Sequence, residues 1–187
     1  MNIGVLYYDG FCEFELVLTL IQFSKENVFS VALEDRVYIS EENQKYLPDK
    51  TLDCLDTDDI DLFIITGGDP SPLFHNTVLK NFLTILNEKK KYIAGICGGT
   101  SLMASFGILD KKKCTGSSSG ITPDDKAIAL FHNAIIVNED VVVDSNIITS
   151  TGQAFIEFSI ELGKLMNQYK NHEEALIDYK WLKNIKD

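Results

Sequence analysis

Along the chain, short apolar runs alternate with segments whose apolar residues recur every three or four positions. Residues 2–8 read as an apolar strand, turned by Asp9 and Gly10. Residues 11–24 follow with apolar side chains at 14, 17, 18 and 21, the spacing of a helical stripe. Residues 28–33 form a second strand. Residues 35–56 are polar and broken by Pro48, which predicts short strands such as 36–39 rather than a helix. Residues 62–66 read as a buried strand ending at Gly67-Gly68, with a helix over 76–90 beyond a loop stiffened by Pro70 and Pro72. The run Tyr92–Ile96 predicts another buried strand, and residues 99–107 a helix. Thr122 followed by Pro123 has the form of an N-cap with proline at the first helical position, so a helix is expected to start there. Residues 134–137 and 141–143 are expected to pair as strands turned at Glu139-Asp140. A further strand at Ile147–Ser150, an amphipathic helix over 152–169 and a last helix over 172–185 complete the chain.

Alternation of this kind predicts an α/β fold with a mainly parallel sheet covered on both faces. In such sheets the ligand lies beyond the carboxyl ends of the strands, at the switch point. Three strand ends carry glycine or chemistry and are expected to share one crevice: Tyr8-Asp9, Thr66-Gly67-Gly68 and Ile96-Cys97.

The 187 residues suit one domain with a sizeable core. A net charge of −11 argues against nucleic acid or an anionic membrane as partner, since both call for a basic face. No apolar run reaches the length of a membrane span, and the first residues run into a strand without the basic lead of a signal peptide. The four cysteines, at 12, 54, 97 and 114, show no CxxC pair and no metal-ligand spacing. These features predict free thiols in a cytoplasmic setting, with neither cofactor nor metal.

The stretch that organises the rest is Gly95-Ile96-Cys97-Gly98-Gly99, a G-x-C-x-G sequence between a strand and a helix. This is the cysteine form of a nucleophile elbow. A sharp turn brings neighbouring backbone close, so its flanks must be small. It lifts Cys97 above the sheet in a strained conformation, and the following helix points free N–H groups at the sulfur, which favours thiolate. The alternative is a buried structural cysteine in a glycine-rich turn.

Three blocks carry a family resemblance: residues 61–68 (DLFIITGG), 94–99 (AGICGG) and 147–152 (IITSTG). They resemble the signature blocks of the ThiJ/PfpI superfamily, which includes the parkinsonism-associated deglycase/chaperone and the class I glutamine amidotransferase-like proteins. Residues 9–16 (DGFCEFEL) are similar to the family's first block. The resemblance implies a flavodoxin-like three-layer sandwich over residues 1–187 with an extra C-terminal helix, and a homodimer. It also implies Cys97 as nucleophile, Glu15 as its acidic partner, and Gly68 at the oxyanion position. Gly98 would supply a second backbone donor. Chemistry supports Glu15 independently, because a carboxyl desolvated beside a thiolate tends to keep its proton. Glu13, two residues earlier, is expected at the surface.

The departures from the family pattern concern histidine. No histidine follows Cys97 directly, and none stands in the loop after the elbow helix. The three present are His75, His132 and His172. His172-Glu173-Glu174 is an H-x-E pair of the amidotransferase kind, but it comes after the long helix rather than before it. A cysteine adding to a small electrophilic carbonyl, as in glyoxalase or deglycase chemistry, needs less help than amide hydrolysis. The alternatives are a non-enzymatic redox or stress protein sensing oxidants through Cys97, a binding module without turnover, and an amidotransferase, amidase or protease. Cys12, three residues before Glu15, is a candidate resolving thiol for oxidised Cys97, or else simply packs under the first helix.

Overall fold

The computed structural model describes residues 1–137 and 139–186. In chain order the elements are β1 (Asn2–Leu6), α1 (Phe14–Gln22), β2 (Asn27–Ala32), β3 (Tyr38–Ile39), β4 (Lys45–Tyr46), β5 (Lys50–Thr51), β6 (Leu62–Ile65) and α2 (Thr77–Glu88). They continue with β7 (Tyr92–Ile96), α3 (Gly98–Ser105), β8 (Lys113–Cys114), β9 (Ile135–Ile136), β10 (Val141–Asp144), β11 (Ile147–Ser150), α4 (Phe155–Leu165) and α5 (His172–Leu182).

Seven strands, in the order β10-β11-β7-β6-β1-β2-β5, form the central sheet of the described residues. All neighbours are parallel except β10 and β11. Every residue of β6 and of β11 is buried. Successive strand side chains point to opposite faces, so both faces of the sheet are covered by other elements. This is the expected α/β sandwich. The chain runs from β1 to β2 on one side and returns to β6 on the other, so the switch point lies between β1 and β6.

Local chemistry explains where the helices differ from their sequence reading. Helix α1 starts at Phe14 rather than 11, because the preceding backbone is engaged elsewhere: Phe11 bridges Gly68, and Cys12 donates its N–H to Gly67 O at 2.9 Å. The apolar stripe read from the sequence also points outward. Phe14, Val17 and Ile21 are 49%, 45% and 63% exposed, while Glu15, Leu16 and Thr19 face inward. Helix α2 begins where the Asn76 side chain accepts the N–H of Leu79 at 2.9 Å. Helix α4 ends at Leu165, short of 169, where Asn167 adopts a φ of 57° and Gln168 N–H donates back to Gly163 O at 2.8 Å. Asn171 caps α5 by accepting from Glu174 N at 2.9 Å.

Two expectations are overturned. No helix starts at Thr122. Thr122 O accepts from Asp125 N at 3.0 Å, and the Asp125 carboxylate accepts from Ala127 N at 2.9 Å, so the chain turns there and only a short 3-10 helix forms at Ile128–Phe131. Nor do residues 134–137 and 141–143 pair. β10 forms its hairpin with β11 around Ser145, whose φ is 62°, and β9 pairs in parallel with β8.

Candidate active site

Cys97 is the joint between β7 and α3, with φ 53° and ψ −124°. A non-glycine residue in this region is strained by about 1–3 kcal/mol and persists only where its surroundings hold it. Here they do. Cys97 N–H donates to Ser150 O at 2.9 Å, and its carbonyl accepts from Thr100 N, Thr100 Oγ1 and Ser117 N at 3.2, 2.7 and 3.2 Å. Backbone contact requires glycine at 98 and 99, and at 95 a side chain would have to displace Met103. A Cβ on Gly95 would strike Met103 Sδ, one on Gly98 the carbonyl of Gly68, and one on Gly99 the carbonyls of Ile65 and Thr66. The elbow geometry expected of the G-x-C-x-G sequence is present.

Glu15 reaches this joint from the first turn of α1 and is 1% exposed. Its Oε2 accepts the N–H of Gly67 at 2.8 Å, and its carboxyl and the Cys97 thiol act on each other's protonation. The two side chains are fenced by glycines. A Cβ on Gly67 would collide with Glu15 Oε2 and stand 2.7 Å from Cys97 Cβ, and one on Gly152 would lie 3.0 Å from Cys97 Sγ. Glu13 points away, accepting a hydrogen bond from Ser40 Oγ at 3.4 Å, and is half-buried rather than a surface group.

Burial pushes the Glu15 carboxyl up to about 7, opposed by its hydrogen bonds with Cys97 and Gly67. Burial, and then the negative charge of Glu15, push the Cys97 thiol up to about 11, while the backbone N–H groups of Gly98 and Gly68 pull it down. The sequence expectation of a favoured thiolate is therefore corrected: the helix N-terminus acts on the sulfur, but desolvation and the carboxylate outweigh it. Near neutrality the thiol keeps its proton, while the carboxyl both holds and releases one.

The sequence model of the DJ-1/PfpI family matches residues 1–165. The chain belongs to the DJ-1/PfpI family. Among curated relatives, it is 27% identical over 153 residues to Deglycase TK1284 of Thermococcus kodakarensis, covering 80% of this chain and 89% of the relative. It is 30% identical over 105 residues to the uncharacterized protease YdeA of Bacillus subtilis, covering 56% of this chain and 52% of that protein. Among solved structures, the ThiJ/PfpI family protein of Bacillus anthracis superposes with a TM-score of 0.86 at 19% identity, covering 100% of this chain and 92% of that one. Drosophila melanogaster DJ-1beta superposes with a TM-score of 0.82 at 21% identity, with 97% of each chain covered. At such identities the structures establish the shared fold.

Two cavities open on either side of the DJ-1/PfpI cysteine. One, of about 730 Å³, is lined by Cys12, Glu15, Glu41, Cys97 and Gly152 with Phe14 and Phe155 at its side. The other, of about 560 Å³, runs from Cys97, Gly68 and Gly98 past Phe74 and Lys126 to Phe131. None of the three histidines lines either cavity, and all three are exposed. His172 instead lines a separate cavity between α4 and α5 with Glu157 and Tyr179, so its H-x-E sequence is not brought to Cys97. Among the described residues, no group of three or more His, Cys, Asp or Glu side chains is arranged to hold a metal ion. No helix among them is long and apolar enough to cross a membrane.

Cys12 shares the larger cavity but is otherwise engaged. Its thiol donates to Glu41 Oε2 at 2.6 Å and is pushed far up by burial and that carboxylate. Sequence reasoning missed Gly152 as a wall of the site, although it closes the third signature block. It placed Tyr8 at a strand end of the crevice but not its contacts: the hydroxyl donates to the carbonyls of Thr66 and Gly67 at 3.0 and 2.5 Å. An apolar strand end does not announce where its last side chain will point.

Proposed function

We propose that this DJ-1/PfpI protein is a cysteine-dependent enzyme acting on a small electrophilic carbonyl, in the manner of a glyoxalase or deglycase. The observation that carries the reading is the buried Glu15 carboxyl beside an elbow cysteine held at φ 53°. The sulfur of Cys97 attacks the aldehyde carbon of a 2-oxoaldehyde, and the carbonyl electron pair moves to oxygen. The thiol proton passes by way of Glu15 to that oxygen, giving a hemithioacetal. The N–H groups of Gly68 and Gly98, which face the sulfur, supply donors for the developing oxyanion. The carbon-bound proton of the hemithioacetal then moves to the neighbouring carbonyl carbon and its hydroxyl proton to the oxygen of that carbonyl, which gives a thioester, and water attacks the thioester to release the 2-hydroxy acid and restore the thiol.

A carboxyl titrating at about 7 suits a group that must both hold and release a proton. The curated relative named a deglycase, aligned over 80% of this chain, agrees with this reading. The absence of histidine from both cavities argues against amide hydrolysis. The outward stripe Phe14, Val17 and Ile21 on α1 supports a homodimer, which sedimentation would test. The charge of −11 and the four unpaired thiols support a cytoplasmic protein that binds neither nucleic acid nor membrane.

The test is a screen of wild type against Cys97→Ala with 2-oxoaldehydes, amides and isonitriles side by side. Consumption of methylglyoxal by wild type alone supports the reading, and equal rates in both proteins overturn it. A second reading rests on the same pair: Cys97 is oxidised by peroxide to sulfinate, which protonated Glu15 caps by a hydrogen bond. Stoichiometric sulfinate formation without any carbonyl turnover would favour it.

A further inference from the structure

The hydroxyl of Tyr8 sits just beyond β1, buried, within reach of two successive carbonyls. It donates to Gly67 O at 2.5 Å and lies 3.0 Å from Thr66 O. These carbonyls belong to the two peptide units whose N–H groups serve the cysteine–glutamate pair. The Thr66–Gly67 peptide presents the Gly67 N–H to Glu15 Oε2 at 2.8 Å, and the Gly67–Gly68 peptide carries the N–H of Gly68, a residue that lines both cavities with Cys97 and whose N–H lowers the thiol. We propose that Tyr8 is a positioning residue for this site, its hydroxyl orienting and polarising both peptides so that one N–H holds the Glu15 carboxyl and the next stabilises negative charge at Cys97.

Three observations make the device physical. The loop has no conformational preference of its own to rely on, because Gly68 stands at φ 106°, where other residues are strained and glycine is unconstrained. A donor on a peptide oxygen strengthens the same peptide's N–H as a donor, and inside a protein such chains reinforce one another. The tyrosine ring is fixed independently of its hydroxyl by its packing against Phe11, with centroids 6.5 Å apart. Cys12 N–H also donates to Gly67 O, at 2.9 Å, so the peptide keeps one partner when the hydroxyl is removed. The variant Tyr8→Phe therefore perturbs polarity more than position.

This inference extends the proposed enzyme reading, but its test does not depend on turnover. The rate of Cys97 alkylation by iodoacetamide is followed against pH by peptide mass spectrometry in wild type and Tyr8→Phe. The titratable groups facing the sulfur are Glu15 from α1, with Tyr8 and Cys12 from the chain after β1. Glu41, Asp69 and Lys126 line the adjoining cavities. Over the alkaline range where the thiol titrates, Glu15 is ionised in both proteins, so a change in midpoint reports the lost donor chain. Tyr8→Phe is expected to move the Cys97 midpoint upward and to slow alkylation at pH 8 by about three- to tenfold, with an unchanged limiting rate at high pH. An unshifted midpoint, or a rate lowered equally at every pH, would mean that Tyr8 only supports the fold, and would overturn the proposal. Should Tyr8→Phe fail to fold, 3-fluorotyrosine placed at position 8, a stronger donor of nearly the same shape, is expected to move the midpoint downward. A midpoint that stays put or rises there overturns it too. If the midpoints shift as expected while methylglyoxal is not consumed, the positioning role stands and the enzyme reading falls.

Discussion

Gly67 donates its backbone N–H to Oε2 of Glu15 at 2.8 Å, joining the end of β6 to the first turn of α1 across 52 positions of sequence. The bond favours the ionised carboxyl, yet burial wins and the group titrates at about 7. A carboxyl raised from 4.5 holds its proton more tightly in the folded chain than in the unfolded one. Its contribution to stability is thus complete below about 4.5 and is lost as pH rises toward 7. Glu15→Gln is expected to remove that slope, making the variant the more stable protein at pH 8 by up to about 3 kcal/mol. Urea denaturation of both proteins at pH 5 and pH 8 measures it.

The same substitution separates the causes acting on Cys97. The carboxylate is the second-largest influence raising the thiol, after burial itself. Glu15→Gln should lower the Cys97 alkylation midpoint and speed labelling at pH 8 by about tenfold, even as methylglyoxal turnover falls for want of a proton carrier. A midpoint that rises would mean that Glu15 stabilises the thiolate instead.

Gly152→Ala tests how tightly the pair is enclosed. Its Cβ would stand 3.0 Å from Cys97 Sγ and 2.8 Å from Glu15 Oε1, both closer than ordinary packing allows. The expected cost is about 1–3 kcal/mol, with turnover falling at least tenfold as the sulfur and carboxyl are pushed apart. Thermal melting and steady-state kinetics report the two effects separately.

The three histidines are exposed and line neither cavity beside Cys97. A triple variant, His75→Ala with His132→Ala and His172→Ala, should keep kcat/KM for methylglyoxal within about twofold of wild type, because surface substitutions are usually near neutral. A loss of tenfold or more would reopen the assignment of Glu15 as sole proton carrier.

Phe63 anchors the sheet behind the site. It is fully buried, meets Phe82 edge-on at 5.1 Å between centroids and packs over Gly4. Phe63→Ala should destabilise the fold by about 3–5 kcal/mol, seen as a lower urea midpoint.

By itself the sequence determined the parallel sheet, the elbow at Cys97 and the family, because these rest on local signals. Apolar runs of strand length and glycines placed where a turn has no room for a side chain act within a few positions. Tertiary structure decided what depends on distant partners. The outward face of α1 at 14, 17 and 21 could not be read from its stripe at 14, 17, 18 and 21, since apolar spacing does not say which side meets the sheet. The pairing of Val141–Asp144 with Ile147–Ser150 followed from a turn at Ser145 that carries no glycine. The proton balance of Cys97 and Glu15 was likewise hidden. A helix N-terminus is visible in sequence, but desolvation is a property of everything packed around a group, and here it comes from segments spread from Tyr8 to Gly152.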